Sequence, residues 1–301
     1  MKNESLHTKT ANKYGGSQKI YYELIVPCFF LNVISKIIAK IRTMIFYLSC
    51  TGNTKWVAES IAGPLDERLV DVAEAVGGSC TYSIEEGEVL GFCFPVHGWR
   101  PPKVLLDFIG RLVIDGGAAL RPYTFAVCTE GDTVGQAMDI FVSACAGRGI
   151  QIDMSRDVVM PNTYVGLPFM DVDGKKLENK KLRDAKERVE GICNDISMRR
   201  KGSSIEHIGN WPRINSQFLG GYFVRHLVTD KHFRVDASRC VGCGRCASVC
   251  PVDNIVGGSG AVPEWRHNNS CMACFACYHN CPKHAIRYGW MTLGKGQYHF
   301  S

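Results

Sequence analysis

The sequence predicts an α/β protein in which a doubly wound parallel sheet is followed by a small second domain near the C-terminus. Short apolar runs alternate with helical stretches from residue 44 to 165, which is the pattern of repeated strand–helix–strand units. Eight of the 15 cysteines then fall in two short C-terminal runs. With 301 residues, 46% of them hydrophobic, the chain is long enough for two packed domains.

The first half of the sheet follows from alternating periodicities. The apolar run 44–49 predicts a buried strand, and apolar residues at helical spacing predict a helix over 54–65. A second strand is predicted within 68–76 and a third, buried on both faces, over 88–96. Two prolines open the next helical stretch, 101–113, where they suit the first turn.

The second half repeats this alternation. A fourth strand is predicted over 123–129, a helix over 134–149 and a fifth strand over 150–160. A long charged stretch, 175–201, carries one apolar stripe and predicts a helix. The glycine-rich and polar stretch after it predicts a connector.

The chain therefore divides into five predicted segments. They are an N-terminal extension (1–43), an α/β domain (44–165), a helical linker (166–230), a cysteine-rich domain (231–291) and a C-terminal tail (292–301). The extension is expected to be poorly ordered or to lie upstream of the true start, since Met44 opens the first strand.

Charge and hydropathy argue against a nucleic-acid surface and against a membrane span, while a basic amphipathic N-terminal segment that lies on a membrane stays open. The extension holds seven basic and two acidic residues, so it carries most of the net charge of +6, and no basic patch for nucleic acid stands out elsewhere. Its apolar stretch is broken by Pro27 and Lys36, which argues against a membrane span. Cysteines clustered at one end of a long chain indicate metal binding in a reducing compartment, and we expect a cytoplasmic protein.

The loop "SCTGNT" follows the first predicted strand and opens the first predicted helix. Amide groups at such a junction bind phosphate in open α/β sheets, and glycine lets the backbone turn tightly. The loop has no lysine and the chain has no GxGxxG here, so neither a triphosphate loop nor a dinucleotide fingerprint is indicated. An ordinary serine- and threonine-rich helix cap is the alternative. The candidate ligands are Ser49, Thr51, Gly52, Asn53 and Thr54.

This loop resembles the phosphate loop of the flavodoxin family, Thr/Ser-x-Thr-Gly-x-Thr. The resemblance implies a five-stranded sheet of order 2-1-3-4-5 and FMN as the cofactor. It also implies that the loops after the third and fourth strands enclose the flavin ring. Those loops hold Pro95, Val96, His97, Gly98 and Trp99, and Thr129, Glu130, Gly131 and Asp132.

Two ring-contact residues have specific expected roles. Trp99 would stack on the flavin, and His97 would supply a proton near it. Flavodoxins often carry an aromatic residue in the second loop, whereas residues 129–135 have none. It therefore stays open whether the domain has lost FMN and serves as a docking scaffold.

The two cysteine runs share the spacing C-x2-C-x2-C-x3-C-P, which is typical of bacterial two-cluster ferredoxins. Three closely spaced cysteines surround one cubane, and the fourth ligates the other cluster. Zinc sites use separated C-x2-C pairs, and disulfides would be crowded, so both alternatives fit poorly. The predicted ligands are Cys240, Cys243, Cys246 and Cys281 for one [4Fe–4S] cluster, and Cys271, Cys274, Cys277 and Cys250 for the other. The flanks 233–240 and 282–289 resemble the short strands of such ferredoxins.

The combination resembles the EFR1 family of flavodoxin–ferredoxin fusions, which implies electron transfer with redox protein partners. Two functions stay open at this point. One is an electron carrier between FMN and two [4Fe–4S] clusters, and the other is an FMN-dependent reductase of a small molecule such as a quinone.

Overall fold

A computed structural model of the chain describes residues 42–63, 68–258 and 260–300. The expectations for residues 1–41 lie outside this part of the chain. The first strand begins at Thr43, at the last residue of the predicted extension.

The central sheet has six parallel strands within the described residues. The strands of the α/β part are β1 (Thr43–Tyr47), β2 (Arg68–Asp71), β3 (Thr81–Ser83), β4 (Val89–Pro95), β5 (Val113–Asp115), β6 (Thr124–Glu130), β7 (Met154–Val159) and β8 (Gly202–Ser204). Their order in the sheet is β2-β1-β4-β6-β7-β8, while β3 and β5 form a separate parallel pair.

The predicted order 2-1-3-4-5 is therefore confirmed for the five strands that the sequence identified. The predicted strand number is wrong by one, because β8 adds to the edge with Gly202 beside Met154. That strand is a fully exposed Gly-Ser-Ser triplet, so it lacks the apolar side chains that reveal a strand in a sequence.

Helices cover both faces of the sheet. They are α1 (Asn53–Ala62), α2 (Val72–Ala75), α3 (Lys103–Arg111), α4 (Gly117–Leu120), α5 (Ala137–Ala146) and α6 (Lys175–Ser197). Side chains alternate along β6, so Phe125 and Val127 pack in the core beneath α1 and α6. Ala126 and Cys128 pack on the other face, beneath α3 and α5.

Helix α6 lies in the predicted linker, and it covers one face of the sheet. Its buried stripe of Ala185, Val189, Ile192 and Ile196 packs in the same core as α1, and Asp195 pairs with the buried Arg156 of β7 at 2.8 Å. Part of the segment 166–230 is thus a structural layer of the α/β domain.

The rest of that segment folds over the carboxyl edge of the sheet. A π-helix (Ile214–Leu219) runs into α7 (Gly220–His226). Gly220 is buried, and a Cβ at this position would lie 2.4 Å from the carbonyl oxygen of Gly98. This close approach requires glycine, and it holds α7 against the loop that follows β4.

The cysteine-rich part has two antiparallel strand pairs and two short helices. Its elements are β9 (Phe233–Val235), α8 (Arg245–Ser248), β10 (Ile255–Gly258), β11 (Ala261–Trp265), α9 (Ala276–His279) and β12 (Ile286–Tyr288). Strand β9 pairs with β12, which confirms the predicted flanking strands, and β10 pairs with β11. Among the residues described, no helix is long and apolar enough to cross a bilayer.

Candidate functional site

A cavity of about 230 Å³ opens at the carboxyl edge of the central sheet. The carboxyl ends of parallel strands meet at this edge, so loops that are distant in sequence converge there. Every residue predicted from the three loops lines the cavity except Gly52, whose two chain neighbours, Thr51 and Asn53, both line it. These lining residues are Ser49, Thr51, Asn53, Thr54, Pro95, Val96, His97, Gly98, Trp99, Thr129, Glu130, Gly131 and Asp132.

The first loop has the geometry of an anion site. Gly52 has a φ of 93°, a left-handed conformation that allows the turn into α1 at Asn53. The first amide groups of a helix lack intrahelical acceptors, and the helix dipole favours negative charge there. The hydroxyl of Ser49 is buried and has no hydrogen-bond partner in the described chain. A buried hydroxyl without a partner fits a ligand oxygen at this position.

Two side-chain contacts connect this loop to its neighbours. The hydroxyls of Thr54 and Thr129 lie 2.7 Å apart, and the amide of Asn53 donates to the carbonyl of Pro161 at 3.0 Å. Either hydroxyl of the Thr54–Thr129 pair can donate, so Ser49, Thr51, the loop amides and, where Thr129 donates, Thr54 are the donors for an anion.

The aromatic residues that the second loop lacks come from elsewhere in the chain. Tyr164 follows β7, Phe223 belongs to α7, and both line the cavity with Trp99. The rings of Tyr164 and Phe223 meet edge to face, with their centroids 5.4 Å apart. The indole of Trp99 donates to the hydroxyl of Thr133 at 2.9 Å, so Trp99 is fixed against the second loop.

His97 does not fit its expected role as a proton donor. Its backbone pairs with Arg100 across a tight turn, with His97 N 2.9 Å from the Arg100 oxygen. Burial lowers the pKa of His97 to about 4. The imidazole is therefore neutral near pH 7 and lacks the extra proton of an imidazolium.

The eight cysteines of the two runs line two pockets. The distal cysteine pocket contains Cys240, Cys243, Cys246 and Cys281. The proximal cysteine pocket contains Cys250, Cys271, Cys274 and Cys277. Each pocket thus combines three cysteines of one run with the fourth cysteine of the other.

Backbone amides donate to several of these sulfurs. Asn254 N lies 3.3 Å from the sulfur of Cys250, and Ala285 N lies 3.3 Å from that of Cys281. Both acceptors are the fourth cysteines of their runs. Amide hydrogen bonds favour the thiolate form and tune the potential of a cluster that it holds.

The proximal cysteine pocket shares a wall with the cavity at the carboxyl edge of the sheet. Cys274 lines both, and Cys50 of the first loop lines the cavity beside it. The interaction between the two thiols raises the pKa of Cys50 well above its ordinary value and lowers that of Cys274. The first loop and the second cysteine run therefore meet at these two side chains.

The C-terminal tail connects the cysteine-rich part to the first loop. Tyr298 N donates to His279 Nδ1 at 3.2 Å, and the Tyr298 hydroxyl donates to Asn53 Oδ1 at 2.9 Å. Phe300 N donates to the carbonyl of Thr51 at 2.8 Å. A Cβ on Gly52 would lie 2.2 Å from the carbonyl oxygen of Phe300, so Gly52 permits this contact. No local sequence pattern indicates such a long-range contact.

Comparison with known families identifies the cysteine-rich part. Residues 232–282 match the family model of a 4Fe-4S dicluster domain. A second model with the same description matches residues 199–254, where the cysteines all belong to the first run. The first match covers both runs and agrees with the two pockets. No curated protein matches the sequence.

Several solved structures align with about half of the chain. The Trp repressor binding protein from Bacillus subtilis is 13% identical over 51% of this chain and 98% of its own, with a TM-score of 0.31. The NAD(P)H:quinone oxidoreductase from Methanothermobacter marburgensis is 12% identical over 51% and 96%, with a TM-score of 0.32. The rubredoxin oxygen:oxidoreductase from Desulfovibrio gigas is 13% identical over 57% and 41%, with a TM-score of 0.31.

TM-scores of this size support no assignment of fold or ligand, so the flavodoxin-like assignment rests on the strand order and the connections. The chain is a fusion of a flavodoxin-like α/β domain with a ferredoxin-like segment, and that segment belongs to the 4Fe-4S dicluster domain family.

Proposed function

We propose that this protein transfers electrons between FMN, bound in the cavity at the carboxyl edge of the sheet, and two [4Fe–4S] clusters, bound in the two cysteine pockets. The observation that carries the proposal is the position of Cys274. It lines the cavity and the proximal cysteine pocket at once, so the two cofactors would meet at one side chain.

The donor set of each cysteine pocket fits a cubane cluster. Four sulfurs converge in each pocket, and thiolates are the soft ligands that iron–sulfur clusters prefer. The amides that donate to Cys250 and Cys281 stabilise the charge of those sulfurs.

The residues of the cavity fit FMN in two ways. Ser49 and the amides at the start of α1 would hold an anionic phosphate, because the buried hydroxyl of Ser49 has no partner within the described residues. Trp99, Tyr164 and Phe223 would contact a flat ring. When bound, FMN would supply exchange of one or two electrons, whereas each cluster exchanges one.

The chain itself positions and shields this centre. Phe223 of α7 covers the loop after β4, and the tail holds the first loop through Tyr298 and Phe300. Cys50 lies beside Cys274 at the shared wall and would donate a hydrogen bond to that sulfur when it ligates a cluster.

Anaerobic purification with iron, sulfide and flavin analysis tests both cofactor assignments. We expect about eight irons and one FMN per chain after reconstitution. Four irons or fewer would contradict the two-cluster proposal. Failure to bind added FMN would contradict the flavin proposal while leaving the cluster result unchanged.

A small-molecule reductase is the second candidate. It is favoured by the aromatic lining of the cavity, where the edge-to-face rings of Tyr164 and Phe223 would contact a ring substrate, such as a quinone, that stacks on the flavin beside Trp99. Steady-state assays with a panel of acceptors separate the two functions. Saturable reduction of one acceptor indicates the reductase, whereas equal, slow reduction of all of them indicates the carrier.

A further inference from the structure

A buried carboxyl group lies at the wall of the cavity. Glu130 ends β6, lines the cavity and is 3% exposed. Its Oε1 has no hydrogen-bond partner in the described chain, and its Oε2 is 4.0 Å from the thiol of Cys128. A buried carboxyl oxygen without a partner is costly, so its retention at this position needs an explanation.

Asp157 of β7 lies beside Glu130 and has a full set of donors. Its oxygens accept from the amides of Glu206 and His207 at 3.0 to 3.1 Å. Arg188 of α6 donates to Oδ1 at 3.0 Å, and the His207 ring lies 2.9 Å from Oδ2. Asp157 is therefore held as a carboxylate by neighbours from a helix and a loop.

His207 connects this carboxyl pair to solvent. Its side chain is 47% exposed, and its Nδ1 lies 3.8 Å from the free Oε1 of Glu130. The hydrogen bond to Asp157 fixes the orientation of the ring. Titratable groups thus line a path from the surface at His207 to the cavity wall at Glu130, with 3.8 Å between His207 Nδ1 and Glu130 Oε1.

The surrounding charges set the protonation of the two carboxyls. Burial, followed by the negative charge of Asp157, raises the pKa of Glu130 well above its ordinary value. Burial alone would raise the pKa of Asp157, but hydrogen bonds from Glu206 and His207 and the charge of Arg188 lower it. Lys181 of α6 is also near, but its amine contacts the carbonyl of Gly131 and the carboxylate of Asp173.

A metal site is the alternative interpretation of the same three side chains, because their ligand atoms lie within 4.8 Å of one another. The positive charge of Arg188 already neutralises Asp157 at 3.0 Å, and His207 Nδ1 faces the same carboxylate. A cation would have to displace both. The geometry therefore favours proton transfer over metal binding.

We propose that Glu130, resupplied by His207, delivers protons from solvent to the group that is reduced in the cavity. This inference rests on the proposed flavin function. Glu130 releases its proton into the cavity and becomes a carboxylate while the clusters supply the electrons. His207, held by Asp157, passes a proton from solvent to Glu130. Each cycle thus delivers one proton to the cavity, and the protein returns to its starting state.

The need for such a path follows from the cavity itself. Added negative charge is costly where water is excluded, so a proton must accompany it. His97 lines the cavity but is neutral near pH 7, because burial lowers its pKa to about 4. Glu130 is a buried acid at this wall, and its pKa is raised well above its ordinary value.

Infrared spectroscopy of the full chain tests the protonation of Glu130 without flavin. The cluster-loaded, flavin-free protein should show a carboxylic acid C=O band at pH 7 that is lost in the Glu130→Gln variant. Absence of this band in the wild-type protein would overturn the proposal. Because the measurement needs no FMN, its outcome is independent of the proposed cofactor.

Proton uptake after photochemical reduction tests the path in the FMN-loaded protein. A pH-indicator dye in weakly buffered solution should report uptake about 100-fold slower in both Glu130→Gln and His207→Gln. Added imidazole should restore the rate in His207→Gln but not in Glu130→Gln. His226→Gln, which changes an exposed histidine outside this chain of groups, is the matched control and should behave as wild type.

Equal uptake rates in the wild type and in both path variants would overturn the proposal, even if all three bind FMN and both clusters. Failure to bind FMN would instead contradict the proposed function and would show in the flavin absorbance before any flash. The two failures are thereby distinguishable.

Discussion

Cys50 and Cys274 lie together at the wall between the cavity and the proximal cysteine pocket, where the interaction of their thiols raises the pKa of Cys50 and lowers that of Cys274. One belongs to the loop after the first strand and the other to the second cysteine run. The α/β domain and the cysteine-rich part therefore meet at these two side chains. Electron transfer between bound cofactors at this point would need no partner and no domain movement.

Replacing Cys50 by alanine should lower the reduction potential of the proximal cluster. A hydrogen bond to a ligand sulfur stabilises the more negative, reduced cluster, and its removal costs about 1 kcal/mol. That energy corresponds to roughly 40 mV for one electron. A redox titration followed by EPR measures the shift.

Cys145→Ala is the control for that experiment, because Cys145 is a buried cysteine of α5 in the core of the α/β domain. It should leave both cluster potentials unchanged. A Cys50→Ala variant with the wild-type potential would show that the thiol pair does not reach the cluster.

Removal of a fourth cysteine should damage the cluster of the opposite run. Cys281 lines the distal cysteine pocket with Cys240, Cys243 and Cys246, so Cys281→Ala should abolish that cluster and spare the proximal one. Cys250→Ala should give the reverse result. EPR and iron analysis of the two variants check the pairing. Loss of the proximal cluster in Cys281→Ala and of the distal cluster in Cys250→Ala would refute the crossed assignment.

A Gly52→Ala substitution should weaken FMN binding through the C-terminal tail. The added methyl group would lie 2.2 Å from the carbonyl oxygen of Phe300, so the tail must leave the first loop. We expect the dissociation constant for FMN to rise about tenfold, which corresponds to roughly 1.4 kcal/mol. Isothermal titration with FMN measures it, and faster carboxypeptidase release of Phe300 would report the displaced tail.

Gly63→Ala provides the matched control. Gly63 also has a positive φ, of 68°, but a Cβ there meets nothing within 4 Å. Both substitutions strain the backbone, whereas contact with the tail is specific to Gly52. If Gly63→Ala weakened FMN binding to the same extent, backbone strain rather than the tail would be the cause.

The pH dependence of stability should contain a contribution from His97. Burial lowers its pKa in the folded protein to about 4, below the ordinary value of about 6.5. The unfolded chain therefore binds the proton more tightly between these values. The contribution of His97 is fully present above pH 6.5 or so and is lost as the pH falls through about 4.

NMR of the flavin-free protein measures this directly. The His97 resonance, assigned by its loss in His97→Gln, should not titrate between about pH 5.5 and 7.5. The same variant should show a shallower loss of stability on acidification. An imidazole that titrates near pH 6.5 would contradict the burial argument.

Much of the fold was predictable because the main strands carry continuous apolar runs, as in Val89–Pro95 and Thr124–Glu130. The lining loops were predictable as well, since the carboxyl ends of parallel strands converge at one edge. Helix α6 was predicted from its apolar stripe, but its packing on the sheet was not, because a stripe shows that a face is buried and not what covers it.

The remaining parts of the site depend on contacts between distant segments. Tyr164 and Phe223 supply aromatic rings that the loop 129–135 lacks, and neither belongs to a local motif. Asp157 and His207 meet Glu130 because β7 lies beside β6 and a later loop folds back over both. Tyr298 reaches Asn53 from the opposite end of the chain. Such pairings are set by tertiary structure and leave no periodic signal in the sequence.

Time-resolved absorbance after photochemical reduction tests the central claim, that the flavin and the proximal cluster exchange electrons within one chain. In the protein loaded with FMN and both clusters, we predict a first-order transfer phase between cluster and flavin whose rate does not change with protein concentration. A rate proportional to protein concentration, or no transfer between the two cofactors, would contradict the account.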